Sequence, residues 1–174
     1  MNIRQAEMSD FSELMEFYDY MCSVLAEKDF LPNGNKGGFP SAEMVEKAID
    51  EHNQFIGVED GRIMATYILD TSCDEAYLSA PWKSDAAEGE YVVLHALRVA
   101  PEYSGRGYGK MLTKHAVEQA RKNNYKAIRL DVIVGNTIPE KMFKGFGFSF
   151  VDTTEMCYED IGQTIKFSLM ELVL

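Results

Sequence analysis

Val99-Ala100-Pro101-Glu102-Tyr103-Ser104-Gly105-Arg106-Gly107-Tyr108-Gly109-Lys110-Met111-Leu112-Thr113 is the stretch on which the reading of this chain turns. An apolar strand ends at Val99, a turn follows, and alternating glycines open a run with helical spacing. Glycines let a backbone turn sharply and come close to a ligand, and the unpaired N–H groups of a helix's first turn converge on negative charge. The stretch therefore reads as an anion cradle whose natural guest is a pyrophosphate.

Two better-known cradles fail on spacing. The triphosphate loop G-x-x-x-x-G-K-[ST], ending at Gly109-Lys110, needs Gly at Ser104 and Ser or Thr at Met111, and has neither. The dinucleotide fingerprint G-x-G-x-x-G fits Gly105 and Gly107 but needs a small residue at Lys110, and the run sits mid-chain instead of opening a βαβ unit. What fits is [QR]-x-x-G-x-[GA], running Ser104 to Gly109 behind a strand that carries Leu97-x-Val99-x-Pro101.

With that pattern the chain resembles the GNAT superfamily of acyl-CoA N-acyltransferases. Downstream, Ile128-Arg129-Leu130-Asp131, then Asn136, Met142-Phe143-Lys144 and Gly147-Phe148 follow the order and spacing of that family's second signature. Together the two signatures span Leu94 to Phe150. The chain departs from the pattern at Ser104, where the family usually has Gln or Arg, and at Phe143, where many members have Tyr.

Length and composition suit one enzyme domain over residues 1–174. A chain of 174 residues, 46% hydrophobic, can bury a sizeable core. No repeat, low-complexity run or apolar stretch of membrane-spanning length appears, and Met1-Asn2-Ile3-Arg4 leads directly into a strand, so a cytoplasmic protein with no membrane partner is expected. Cys22, Cys73 and Cys157 are odd in number and lack metal-ligand spacing, so they read as reduced thiols and no metal is expected.

Net charge is −11, which argues against a nucleic-acid partner. The charge is uneven, however. Eight Lys or Arg lie between Arg98 and Arg129 against Glu102 and Glu118, whereas residues 1–97 carry nineteen acids against six bases. The basic segment is the one holding the cradle, where Arg106 and Lys110 stand as phosphate partners; the acidic remainder suggests a cationic acceptor such as an amine.

Patterning along the chain predicts the order β-α-α-β-β-β-α-β-α-β-β. Asn2 to Ala6 reads as a strand, and Asp10-x-x-Glu13 as a capping box ahead of Leu14, Phe17, Tyr18, Met21 and Leu25 at helical spacing. Leu31 to Pro40 is a loop, after which Ser41 caps a helix with Val45, Ala48 and Ile49 on one face. Phe55–Glu59 and Arg62–Leu69, joined by Asp60-Gly61, form a hairpin. Thr71 to Gly89 is a long loop or strand extension, and Tyr91 to Val99 is a nearly continuous apolar strand buried on both faces. The cradle helix ends at Asn123-Asn124 in a left-handed turn. Lys126–Val134 is a strand, Thr137–Lys144 a short helix with Pro139 in its first turn, and Phe148–Asp152 and Thr164–Leu172 are closing strands. The helix between two strands implies a central parallel pair inside a mixed sheet. Edge strands near the C-terminus could pair two copies into a homodimer.

The resemblance implies a three-layer α/β/α fold with a mixed, mostly antiparallel sheet and a splayed parallel strand pair. It implies acetyl-CoA as cosubstrate, its pantetheine arm bonding the strand edge of Leu97, Arg98 and Val99. Ser104, Gly105, Arg106, Gly107, Tyr108, Gly109 and Lys110 would supply the pyrophosphate site, with Asn136 on the pantetheine and Phe143 along the thioester. The implied reaction is N-acetyl transfer by direct attack of a primary amine of a small molecule or peptide. A strand N–H near Leu97 would then serve as oxyanion donor.

For the base there are three candidates, His95 first among them. His95, read as sharing a strand face with Val93, Leu97 and Val99, titrates near neutrality. Glu90 is placed at the strand's mouth, and Asp131 ends the Arg-Leu-Asp run. The alternative to an enzyme is a non-catalytic acyl-CoA-binding module, for which Phe143 in place of Tyr is the argument.

Overall fold

The computed structural model describes residues 1–28, 39–157 and 164–174. Of the expected loop Leu31–Pro40, residues 31–38 lie outside the described residues. Seven strands form one sheet among the described residues: β1 (Asn2–Gln5), β2 (Gln54–Glu59), β3 (Arg62–Asp70), β4 (Tyr91–Val99), β5 (Ala127–Ile133), β6 (Ser149–Met156) and β7 (Ile165–Val173). They lie in the order β1-β2-β3-β4-β5-β7-β6, and the pair β4–β5 is parallel while its neighbours are antiparallel. Helices α1 (Phe11–Ala26) and α2 (Ala42–Asp50) cover one face; α3 (Tyr108–Lys122) and α4 (Thr137–Gly145) cover the other.

Local chemistry explains most boundaries. Ser41 caps α2 by accepting from the Met44 N–H at 3.2 Å. Asp60 and Gly61 both take positive φ, 50° and 76°, the backbone that a two-residue hairpin loop requires. Asn124 sits at φ 61° just past α3, ending it in the left-handed region. The cap of the first helix differs from the expected box: Glu7 and Asp10 form it one short turn earlier, while Glu13 turns away and accepts the Ile63 N–H at 2.8 Å. Thr71 to Gly89 holds one short 3-10 turn, Glu75–Tyr77, capped by Asp74.

The sheet separates two packed layers. Val92, Leu94, Leu130, Val132, Leu112, Ala116 and Phe143 form the core beneath α3 and α4. On the opposite face Ile56, Ile68 and Ala96 meet Leu14, Tyr18, Val45 and Ile49 from α1 and α2. Each fully buried Leu or Ile stabilises the fold by about 1.5–3 kcal/mol relative to exposure.

One irregularity in β4 matters more than the regular parts. Thr66 pairs with Arg98 and Ile68 pairs with His95, so Tyr67 alone faces two residues, Ala96 and Leu97. That is a β-bulge, with Ala96 at φ 48°. An extra residue reverses the alternation beyond it. The expected grouping of His95 with Val93, Leu97 and Val99 is therefore corrected: Leu97 and Val99 pack toward α3, whereas His95 pairs with Ile68 and lies on the α1 face with Val93.

Candidate active site

The parallel pair is zipped at one end only. Tyr91, Val92 and Val93 pair with Ala127, Ile128 and Arg129, and the pairing stops there although β4 runs on to Val99 and β5 to Ile133. A cavity of about 850 Å³ fills the gap. It is lined by β4 residues Leu94 to Val99, by Leu130 to Ile133 of β5, by the turn at Ser104–Lys110, and by Asn136 to Phe143. Met21, Leu25 and Phe39 line it as well, so the cavity passes through the sheet from the α3 face to the α1 face.

The turn is built as the glycine spacing predicts, with one correction. Gly105 and Gly107 sit at φ 78° and 82°, and a Cβ on either would meet nothing within 4 Å. Their glycine requirement is thus conformational, not steric. Gly109 is different, because a Cβ there would come within 3.0 Å of the Met142 sulfur, so it sets the approach of α4 to α3. The Met111 N–H reaches back to Gly107 at 3.0 Å, which leaves the amides of Tyr108, Gly109 and Lys110 without a backbone acceptor among the described residues. The correction is Arg106. Its amide donates to the Tyr103 carbonyl at 3.3 Å, its guanidinium lies 4.8 Å over the Tyr103 ring, and it is absent from the cavity lining. Tyr103 stacks on Tyr108, whose hydroxyl bonds Glu59, so Arg106 belongs to a brace behind the turn.

On the α1 face, His95 and Asp131 line the cavity together. The His95 Nε2 meets the Ser72 carbonyl at 2.9 Å and the Asp70 Oδ1 at 3.2 Å, leaving Nδ1 without a hydrogen-bond partner among the described residues. Burial pushes the imidazole pKa down, and the hydrogen bond and charge of Asp70, the charge of Asp131 and the Ser72 carbonyl more than offset it. The result is a value above the ordinary 6.5. Asp131 accepts from the Tyr77 hydroxyl at 2.8 Å, which ties the 71–89 segment to the site. Asp70, Ser72 and Tyr77 were not among the expected residues; their positions depend on strand pairing and loop docking that no local motif announces.

Glu90 is placed elsewhere. It stands at the zipped end of β4, 2.7 Å from the Lys126 ammonium, and does not line the cavity. The same end holds a buried ion pair: Arg129 Nε donates to Glu171 at 3.0 Å, and the two side chains are 4% and 0% exposed. The guanidinium is sandwiched between Trp82 and Tyr91, 4.5 and 3.7 Å from their ring centroids. Glu171 also accepts from the amides of Lys83 and Ser84 at 2.8 and 2.9 Å.

Of the expected coenzyme residues, Leu97, Arg98, Val99, Ser104, Gly105, Gly107, Tyr108, Gly109, Lys110, Asn136 and Phe143 all line the cavity. Asn136 lies at the start of α4 without capping it, and Phe143 is buried with its ring 5.4 Å from Phe148. Among the described residues no cluster of three metal-ligating side chains occurs, and no helix is long and apolar enough to cross a membrane.

A half-zipped parallel pair, a turn with open amides and a cavity that crosses the sheet thus meet at the far end of β4. The chain belongs to the acetyltransferase (GNAT) family of acyl-CoA-dependent enzymes, whose sequence profile matches residues 17–148. It is similar to an uncharacterized N-acetyltransferase of Methanocaldococcus jannaschii, 33% identical over 67 residues, 38% of this chain and 30% of that protein. The match thus spans less than a third of that relative's length. Among solved structures it is similar to a ribosomal-protein-alanine N-acetyltransferase from Brucella melitensis, with TM-score 0.73, 16% identity and all of both chains covered. A GNAT-family acetyltransferase from Streptococcus pneumoniae gives TM-score 0.74 and 20% identity over 99% of both chains. The yncA protein of Salmonella typhimurium, solved with its cofactor acetyl-CoA, gives 0.72 and 15% over 100% of this chain and 94% of that one.

Proposed function

We propose that the protein transfers an acetyl group from acetyl-CoA to a primary amine of a small molecule or peptide by direct attack. The observation that carries this reading is the coincidence, in one cavity, of the strand gap beyond Val93 with the open amides at the start of α3. Those amides of Tyr108, Gly109 and Lys110 would hold the diphosphate, with the Lys110 and Lys141 side chains adding positive charge at the mouth. Ala96 and Leu97, the two residues the bulge sets against Tyr67, would offer backbone groups to the pantetheine and to the carbonyl oxygen as it gains charge.

Acetyl-CoA supplies an activated acyl group; a C–N bond to the amine forms as the C–S bond breaks, and the sulfur departs as a thiolate. His95 is the base best placed to take the amine's proton, through Nδ1, and Asp131 is the next. Phe143 brings no hydroxyl to the leaving sulfur. A thiol with a pKa of about 8.5 departs without one.

The test is thiol release from acetyl-CoA across amines, polyamines, amino acids and peptide N-termini. Amine-dependent release with a mass increase of one acetyl group is expected. Acetyl-CoA that raises the melting temperature with no product from any amine would leave a binding module instead, the reading that Phe143 favours.

A further inference from the structure

The bulge does more than open the strand. Residues 95 and 98 are an odd number apart and would face opposite sides of a regular strand. With two residues set against Tyr67, both come to the α1 face: Arg98 pairs with Thr66, whose hydroxyl meets the Tyr18 hydroxyl of α1 at 3.1 Å, and His95 pairs with Ile68. Directly paired residues share a face. The cavity therefore carries a guanidinium and an imidazole on the same side.

Arg98 is half-buried there, and among the described residues its side chain makes one hydrogen bond, to the Leu97 carbonyl of its own strand at 3.2 Å. No carboxylate partners it among the described residues, whereas the chain's buried arginine, Arg129, has Glu171. A half-buried guanidinium that lines a cavity and has no carboxylate partner among the described residues is suited to pair with a ligand carboxylate. The diphosphate cradle does not claim it, because that turn opens α3, which packs on the other face. On the α1 side the same cavity is lined by the apolar Met21, Leu25 and Phe39, and Asp131 of β5, whose charge acts on His95, lines it as well.

We infer that the acceptor is a free amino acid with an apolar side chain, its carboxylate paired with Arg98 and its amine directed toward His95 and Asp131. This rests on the acetyl-transfer reading. It narrows the acceptor from amines in general to zwitterions, and it makes Arg98 a specificity-determining residue.

The experiment compares L-leucine, L-methionine and L-phenylalanine with their carboxamides and decarboxylated amines, in wild type, Arg98→Gln and Arg98→Lys. Thiol release gives kcat/KM, and melting-temperature shifts in saturating coenzyme A give binding without turnover. The acids should exceed their amides by about 10- to 100-fold in wild type, the range for a hydrogen bond to a charged group. Arg98→Gln should abolish that preference with KM for acetyl-CoA unchanged, and Arg98→Lys should restore part of it. Equal handling of acids and amides by wild type overturns the inference, as does a loss in Arg98→Gln that falls on acetyl-CoA. Turnover of simple amines alone would overturn it while sparing the acetyl-transfer reading. If no amine reacts, the melting shifts still decide: acids must stabilise wild type more than amides do, and Arg98→Gln must erase the difference.

Discussion

The two halves of the β4–β5 pair are made from the same strands and do opposite things. From Tyr91 to Val93 the strands are hydrogen-bonded, and their side chains close on a buried, doubly stacked ion pair. From Leu94 onward they part, and the groups that line the gap include, among the described residues, an arginine without a carboxylate and helix amides without backbone acceptors. Polar groups satisfied by one another hold the sheet at one end; at the other, the groups proposed to bind lack protein partners among the described residues. The proposed function is located where the hydrogen-bond accounting among the described residues does not close.

Breaking the closed half should have the largest effect. Arg129→Met strands a buried Glu171, which costs about 3–5 kcal/mol of stability; denaturant unfolding measures it, and a loss below about 1 kcal/mol would show that the ion pair is not the clamp. Gly107→Glu attacks the open half instead. It puts a carboxylate where phosphate is expected and a side chain at φ 82°, so coenzyme A affinity by calorimetry should fall by at least about 100-fold in a folded protein. Retained affinity would remove the phosphate site from the turn.

His95→Gln sharpens the contrast through pH. Turnover should fall by about 100-fold, and the wild-type rate should rise with pH through a midpoint above 6.5, a limb that the variant lacks. Stability should respond with opposite sign at the two ends. A raised imidazole pKa makes His95's contribution complete below 6.5 and lost as pH climbs through the folded value. Burial pushes Glu171 up, but the bonds from Ser84, Arg129 and Lys83 hold it below the ordinary 4.5. Its contribution is present above that value and lost on acidification. Melting temperatures of His95→Gln and Glu171→Gln against wild type from about pH 2.5 to 9, a range that extends below the reference carboxylate pKa, check both directions. The smallest effect belongs to Ala96→Gly, which relieves a left-handed alanine at the cost of chain entropy, a net gain of up to about 1 kcal/mol.

The element order was legible because each part carries a local signal: alternation in β2 and β3, Asp60-Gly61 between them, Ser41 before α2, Asn124 after α3. The glycine turn was legible for the same reason, since positive φ at 105 and 107 calls for glycine. The bulge was not. Alanine at φ 48° advertises nothing, and a single extra residue moved Leu97 and Val99 to the face opposite His95. Glu90 was misplaced because which end of a parallel pair stays zipped is decided by partners far away in sequence, Lys126 among them. Asp70 and Tyr77 were invisible for that reason as well: each reaches the site through a contact 25 or 54 residues distant, His95 for one and Asp131 for the other.

Trp82 is the chain's one tryptophan, and it lies over Arg129 at the zipped end, outside the cavity lining. Its emission is consequently a built-in optical gauge of that end alone. Quenching or a red shift should track loss of the cation beneath the indole during unfolding, while titrated coenzyme leaves the spectrum nearly still. Light from a single residue can thus separate damage to the scaffold from occupancy of the gap.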